Sequence, residues 1–343
     1  MSGKIKVGVI GCGYWGPNLL RNLAENEGAE LRWICDIDLK RLAAMGRRYP
    51  AAELTADCKS LFTDPSLDAV VIATPVWTHF SFAKQALEAS KHVLVEKPLT
   101  ANVAEAEQLA ELAERQGLTL MVDHTFVYTG AVRKIKEMVA GGELGDLLYF
   151  DATRINLGLF QDDINVVWDL APHDLSIMDF VIARQPELVT ATGSCHIKKG
   201  IENIAYVMLR FPDEFIAHFH FNWLSPVKIR HTLIAGSRKM VVYDDIEPTE
   251  KVRVYDSGVT TTQKEDKLDR EAAYRTLVSY RTGDVWVPKL DSTEALRYVC
   301  EEFLSAITEK RPPLTDGNAG IRVVRLLDAA QRSIDQGGQP VKL

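Results

Sequence analysis

The sequence predicts a two-domain α/β protein. A doubly wound parallel sheet takes residues 1–123, and an α+β domain with a large, mostly antiparallel open sheet takes residues 124–343. Three observations predict it. Strand-like and helix-like periodicities alternate through the first third. A glycine-rich turn joins the first of those strands to the first helix. After about residue 124 the alternation gives way to successive strands with short turns.

In order, Lys6 to Ile10 is a β-branched run, and helical spacing follows from Trp15 to Glu25. Leu31 to Cys35 reads as strand and Leu39 to Tyr49 as helix. "DAVVIA" at 68–73 lacks alternation, as a strand buried on both faces does. A helix over 80–89, a strand over 92–95, a helix over 103–116 and a strand over 118–122 complete the βα order. Right-handed crossovers then make the sheet doubly wound.

In the second domain, a helix over 131–140 stops at Gly141 and Gly142. A strand over 147–155 and a helix over 170–183 follow, then strands over 188–196, 203–211, 215–223, 229–235 and 239–243. "FPDEF" at 211–215 is a hairpin turn. Along 215–223, Phe215, Ala217, Phe219, Phe221 and Trp223 share one face, which should pack on helices. Ile216, His218, His220 and Asn222 share the other, whose mixed character suits a subunit interface, so a homodimer or homotetramer through this sheet is expected. Residues 245–290 show little periodicity and read as a long loop with one or two short strands. Helices are expected over 292–308 and 317–336.

Of the 343 residues, 46% are hydrophobic and 25% charged, with a net charge of −7. That balance lacks the basic footprint of a nucleic-acid or anionic-membrane binder. Five widely spaced cysteines without a CxxC fit neither a disulfide framework nor a zinc knuckle. Met-Ser-Gly-Lys runs straight into a strand with no signal-like segment, and no stretch approaches the roughly 20 apolar residues of a membrane helix. A cytoplasmic protein is expected.

"VGVIGCGYWG" sets Gly11, Gly13 and Gly16 between the first strand and the first helix. This is the dinucleotide-binding signature of a Rossmann domain: a tight turn, a close backbone approach to pyrophosphate, and close helix–strand packing. The helix N-terminus offers free N–H groups to the phosphates. Cys12, Tyr14 and Trp15 fall within the same loop. Asp36 follows Gly16 by 20 residues at the end of the second strand, where a carboxylate accepts from both ribose hydroxyls and repels a 2′-phosphate. NAD is therefore expected as cofactor, with Lys40 and Arg41 near enough to soften the preference over NADP.

At "VEKPL" the chain resembles a specific family. Glu96-Lys97-Pro98, together with Gly11-Cys12-Gly13, "ATPVWTH" at 73–79 and Asp169 with His173, are similar to the Gfo/Idh/MocA oxidoreductases. The family's Asp-x-x-x-His motif is usually preceded by a glycine run, which "NVVWDLAPHD" replaces here. The resemblance implies that Lys97 and His173 flank the reacting carbon and that Asp169 contacts substrate or orients its neighbours. It also implies that Thr74, Pro75 and His79 line the cofactor, that Glu96 touches the nicotinamide ribose region, and that Pro98 sits in a turn that is often cis.

Oxidising a secondary alcohol needs a hydride acceptor, a base for the hydroxyl proton, and donors for the developing charge. Lys97 and His173 are both base candidates. A lysine needs burial or a neighbouring cation to act as base, whereas a histidine needs far less help. Asp169 and His173 are four apart, on one helix face. Pro172 is tolerated in a first turn, so the helix is expected to start near Leu170 with Asp169 as its N-cap. The helix end would then keep His173 neutral and able to take a proton. His173 is thus read as general base and Lys97 as donor to the reacting oxygen, with the reverse assignment open.

"RINLGLFQDDIN" at 154–165 reads as a polar loop, from which Arg154, Asn156 and Asn165 are candidate substrate contacts. Arg154 or Arg230 could grip a diphosphate as a fork. His124 and Tyr128 follow the last strand of the first domain and border the same region. His218 and His220 share a strand face but lack a third ligand at suitable spacing, so no metal site is expected. Asp162 with Asp163, and Asp244 with Asp245, read as solvated turns. Neither G-x-S-x-G nor H-E-x-x-H occurs, which leaves hydrolysis by those routes unsupported.

The "WDLAPHD" form of the motif and the arginine-bearing segment before it resemble nucleotide-sugar 3-dehydrogenases such as those acting on UDP-N-acetylglucosamine. An inositol or free-sugar 2-dehydrogenase is the alternative enzyme. A non-catalytic NAD sensor and an NAD-dependent glycosidase are alternatives of other classes. Intact Lys97, Asp169 and His173 speak against the sensor.

Overall fold

A computed structural model of the chain describes residues 3–158, 160–161, 163–260 and 279–343. It forms two compact units: Met1–Thr129 with Ser292–Asp328, and Gly130–Asp291 with Ala329–Leu343.

The first unit is built on a parallel sheet of strands β1 (Ile5–Ile10), β2 (Ala29–Cys35), β3 (Glu53–Thr55), β4 (Ala69–Ile72), β5 (His92–Glu96) and β6 (Leu120–Asp123). Their order is β3-β2-β1-β4-β5-β6, so the order reverses between β1 and β4. In such sheets ligands bind at the carboxyl ends of the strands beside that reversal. All four residues of β4 are fully buried, which is why it carries no polar alternation. Helices α1 (Gly16–Glu25), α2 (Leu39–Arg48), α3 (Lys59–Thr63), α4 (Val76–Glu88) and α5 (Val103–Gln116) connect the strands. The expected start of α4 at residue 80 is corrected to Val76, directly after Pro75. Proline fits ahead of a helix, where its missing N–H costs nothing. Strand β3 and helix α3, of three and five residues, are too short to show a period and were not expected.

The second unit carries α6 (Gly130–Ala140), α7 (Val166–Ile182) and a sheet of nine strands among the described residues. These are β7 (Leu147–Leu157), β8 (Leu188–Ser194), β9 (Ile204–Arg210), β10 (Ile216–Asn222), β11 (Leu224–Gly236), β12 (Met240–Asp244), β13 (Val252–Thr260), β14 (Ser279–Trp286) and β15 (Val341–Lys342). Their order is β14-β13-β12-β11-β7-β10-β9-β8-β15. Every pair is antiparallel except β7 with β10. Of the loop with one or two short strands expected over 245–290, the strands are two, β13 and β14, and they are longer than expected, nine and eight residues paired with each other, while residues 261–278 lie outside the described ones. Buried Val252 and Val254 mark the inner face of β13, but interleaved charges hid the alternation. The face of β10 bearing Phe219 and Phe221 is buried and α7 packs on this strand, as the aromatic alternation predicts. On the opposite face Tyr206 stacks on His220 at 4.4 Å between ring centroids, and Tyr206, Met208 and Ile216 are exposed.

Helix α8 (Ala295–Glu309) and residues 317–328 of α9 (Gly317–Asp335) return to the first unit. There α8 packs on α1 and on the 3₁₀ turn Thr125–Tyr128. Among the described residues no helix is long and apolar enough to cross a membrane.

Candidate active site

At the carboxyl end of β1 the chain turns at Gly11, whose φ of +101° suits glycine. A Cβ there would lie 2.4 Å from the Ala73 carbonyl oxygen, and one on Gly16 would lie 2.0 Å from that of Gly11. Above Gly13 the space is open, with Arg41 Nη1 nearest at 3.8 Å. Helix α1 then starts without any side-chain cap; Pro17 carries no N–H and the Asn18 and Leu19 N–H groups bond the Trp15 carbonyl, so the Gly16 N–H is what its first turn offers an anion. Asp36 is buried at the end of β2 and accepts the Cys12 N–H at 2.5 Å and the Asp38 N–H at 2.7 Å. A carboxylate has lone pairs beyond those two, so ribose hydroxyls can still be received. Glycine turn, open backbone, uncapped helix end and fixed acid together fit a dinucleotide. Burial and then Asp36 push the Cys12 thiol up to about 12, so Cys12 is a packing residue and not a nucleophile. Tyr14 and Trp15 are exposed beside this loop, edge to face at 5.6 Å.

At the ends of β4 and β5, Thr74 Oγ1 lies 2.6 Å from Thr78 Oγ1, and Pro75 occupies the cap position of α4. His79 is 1% exposed, and its ring nitrogens lie 2.8 Å from the Pro98 and Thr74 carbonyl oxygens. Its ring therefore ties the ends of β4 and β5 together. Burial holds its pKa below the usual histidine value. The Lys97–Pro98 bond is cis. Lys97 is half-buried at the end of β5 and acts electrostatically on Glu96, Asp123, His124 and His79. Asp123 is the residue that sequence reasoning missed. Both "VLVE" and "LMVD" end on an acid, and pairing the two strands in parallel would have placed those acids side by side.

In the second unit the expected cap of α7 is corrected. Helix α7 starts at Val166, and Asn165 is its N-cap, accepting the Val167 and Trp168 N–H groups at 3.1 Å each. Asparagine caps as well as aspartate, and the apolar Val-Val-Trp turn concealed the earlier start. Pro172 therefore lies in the second turn, where it removes the bond to the Trp168 carbonyl. His173 lies beyond the reach of the helix end, which no longer accounts for a neutral imidazole. Asp169 is instead an acid of the first turn, and its Oδ2 accepts from Trp223 Nε1 at 3.1 Å. His173 remains one turn further along the same face, half-buried.

The segment read as a polar loop is strand through residue 157, so Arg154 and Asn156 are strand residues on the helix-covered face of β7. Arg154 is 3% exposed and closes its fork on Asp174, with Nε and Nη2 at 2.7 and 2.9 Å from the two carboxylate oxygens. That bidentate bond takes up the geometry a diphosphate would need. Asn156 lies beside Gly158, which also adjoins Trp223 and thus the Asp169 neighbourhood. Arg230 faces Arg154 across β7 and β11 and pairs with Asp245 at 3.0 Å. Asp245 is accordingly not a solvated turn: Arg230, Tyr243 and Lys251 surround it, and Arg230 holds its carboxyl below the usual range despite burial. Asp162 lies outside the described residues. Among these no group of three or more His, Cys, Asp or Glu is arranged to hold a metal ion.

Asn165 also donates to Glu202 and Gln331, both at 2.6 Å, so it is committed to the fold and not displayed to a ligand. Asn165→Ala is expected to lower stability by about 1–2 kcal/mol, the upper range for a lost cap. Urea unfolding measures this, and a loss of only a few tenths would contradict the assignment.

The site residues can be set beside known proteins. Residues 5–124 match the model of the oxidoreductase family described as an NAD-binding Rossmann fold, and residues 132–242 match the GFO/IDH/MocA C-terminal domain. The chain is 31% identical over 267 residues to the uncharacterized oxidoreductase YdgJ of Escherichia coli, covering 73% of this chain and 74% of that one. It is 28% identical to the UDP-N-acetylglucosamine 3-dehydrogenase of Acidithiobacillus ferrooxidans, covering 93% of this chain and 94% of that one. The crystal structure of the same enzyme superposes with a TM-score of 0.80 at 22% identity, over 98% of this chain and 99% of that chain. Myo-inositol 2-dehydrogenase of Thermotoga maritima is 23% identical, covering 97% of each.

Proposed function

Because the chain belongs to the Gfo/Idh/MocA family of NAD-binding oxidoreductases, we propose that it oxidises a ring hydroxyl, at C3, of a nucleotide-activated amino sugar such as UDP-N-acetylglucosamine. The product is a 3-keto sugar ready for transamination. The observation that carries this substrate reading is the likeness, over 93% of the chain, to an enzyme named for that reaction.

Bound NAD⁺ supplies the hydride acceptor, held by Gly11, Gly13, the start of α1 and Asp36, with Tyr14, Trp15, Thr74, Pro75 and Glu96 beside it. In this reading His173 takes the hydroxyl proton and the Lys97 ammonium donates to the reacting oxygen as charge develops. Asp169, fixed by Trp223, orients the sugar. Asn156 and Arg230 are the remaining polar contacts. The diphosphate falls to Arg230, whose side chain is 35% exposed, since Arg154 is closed on Asp174. Oxidation of inositol or of a free sugar at C2 is the alternative, supported by the myo-inositol 2-dehydrogenase relative.

The test is NADH formation, followed by absorbance, from NAD⁺ with UDP-sugars, free sugars and inositols. Turnover of UDP-N-acetylglucosamine above all others is expected. Turnover of inositol or free glucose alone would discard the nucleotide-sugar reading.

Assembly as a homodimer or homotetramer is part of the same reading, through the open sheet face with Tyr206, Met208 and Ile216. Sedimentation at micromolar concentration should show no monomer, and a monomer there would remove this proposal. A cytoplasmic location is supported by the five free thiols.

A further inference from the structure

Two buried acids stand at the floor of the cofactor end, and the chemistry above does not use them as a pair. Glu96 and Asp123 end β5 and β6 and face each other in parallel register. They are 8% and 1% exposed. Glu96 Oε2 receives the Lys97 backbone N–H at 3.2 Å, and Asp123 Oδ1 receives the Thr125 hydroxyl at 2.7 Å. Asp123 Oδ2 is buried and finds no other donor among the described residues unless the acid of Glu96 supplies one. Two ionised carboxylates cannot occupy one buried site, because each raises the cost of the other's charge.

We infer that Glu96 keeps a proton at neutral pH and donates it to Asp123, so that the pair carries one negative charge and acts as a fixed counter-charge to Lys97. Asp123 is thereby a positioning residue: it acts through Glu96 and Lys97 and does not touch the reacting atoms. The surrounding groups are consistent with a single charge. Lys97 lies at the end of β5, and His79 reaches the same turn from α4. His124, Thr125 and Tyr128 follow Asp123, Cys300 comes from α8, and Arg322 on α9 acts on His124. Burial, then Asp123, pushes Glu96 well above the usual carboxyl range, and burial pushes Asp123 up to about 6. Burial, then Lys97 and Arg322, pushes His124 down to about 3. His124 is therefore neutral, with neither ring nitrogen hydrogen-bonded among the described residues, and it adds no charge. Lys97 thus faces an anion that solvent screens little.

The kinetic consequence rests on the proposed role of Lys97, but the protonation does not, and it is read without turnover. Infrared spectra of the ligand-free protein near neutral pH should show the carbonyl stretch of a protonated carboxylic acid. That band should vanish in Glu96→Gln, which removes the acid that holds the proton. A wild-type protein without the band overturns the inference, whatever the variants do. Glu96→Gln keeps one negative charge, on Asp123, and the double variant Glu96→Gln with Asp123→Asn keeps none. The alkaline limb of kcat/KM should therefore stay in place in Glu96→Gln and move down by about 1–3 pH units in the double variant. A folded double variant with an unmoved limb overturns the counter-charge role. A band present in a protein that turns over no sugar upholds the shared proton and rejects the dehydrogenase substrate reading.

Discussion

Lys97→Ala is expected to lower kcat/KM for the sugar by about 10³-fold or more while NAD affinity changes little. A positioned proton donor or acceptor contributes about 10²–10⁴-fold, and a donor aimed at developing charge is worth about 10²–10³-fold. Lys97 stands at the carboxyl end of β5, acting on two buried acids and two buried histidines, while NAD affinity rests on Gly11, Gly13 and Asp36. Steady-state kinetics with a parallel NAD titration separate the two. Lys97→Arg sharpens the result, because arginine keeps the charge and does not release its proton. With Lys97 as donor, the arginine variant should keep measurable turnover. With Lys97 as base, it should be as inactive as alanine.

Arg154→Ala is expected to cost about 3–5 kcal/mol of stability, because it strands the Asp174 carboxylate in the core. Both side chains are at most 5% exposed, and the bond between them is bidentate. That loss is a large share of the roughly 5–15 kcal/mol that holds a typical domain. It should also spread to activity, because Asp174 directly follows His173 on α7. A paired replacement, Arg154→Met with Asp174→Leu, should recover most of the stability. Urea unfolding of the three proteins measures the set. A single-variant loss below about 1 kcal/mol would show that the pair is not buried as described.

What could be read in the sequence was local. The glycine turn, Asp36 and "VEKPL" announce themselves because their roles depend on spacing within one strand–helix unit. The aromatic alternation of β10 was legible for the same reason: a period of two needs only nine residues to show. What depended on distant partners was not legible. Arg154 looked free because nothing near it in sequence announces Asp174, 20 residues later on another element. Asn165 looked like a ligand contact, yet it is held by Glu202 and Gln331, 37 and 166 residues away. Two good capping residues compete for the start of α7, and Pro172 favoured the wrong one, since tertiary burial outweighed the usual preference against proline inside a helix. The β13–β14 pair was obscured because charged residues interrupt its apolar face.

The most direct test of the account is hydride origin. The protein is incubated with NAD⁺ and UDP-N-acetylglucosamine carrying deuterium at C3, and the reduced cofactor is examined by mass spectrometry. The account predicts deuterium on the nicotinamide ring, together with a 3-keto sugar nucleotide. Unlabelled NADH would place the oxidation at another carbon, and no NADH at all, with NAD bound, would contradict the nucleotide-sugar dehydrogenase assignment itself.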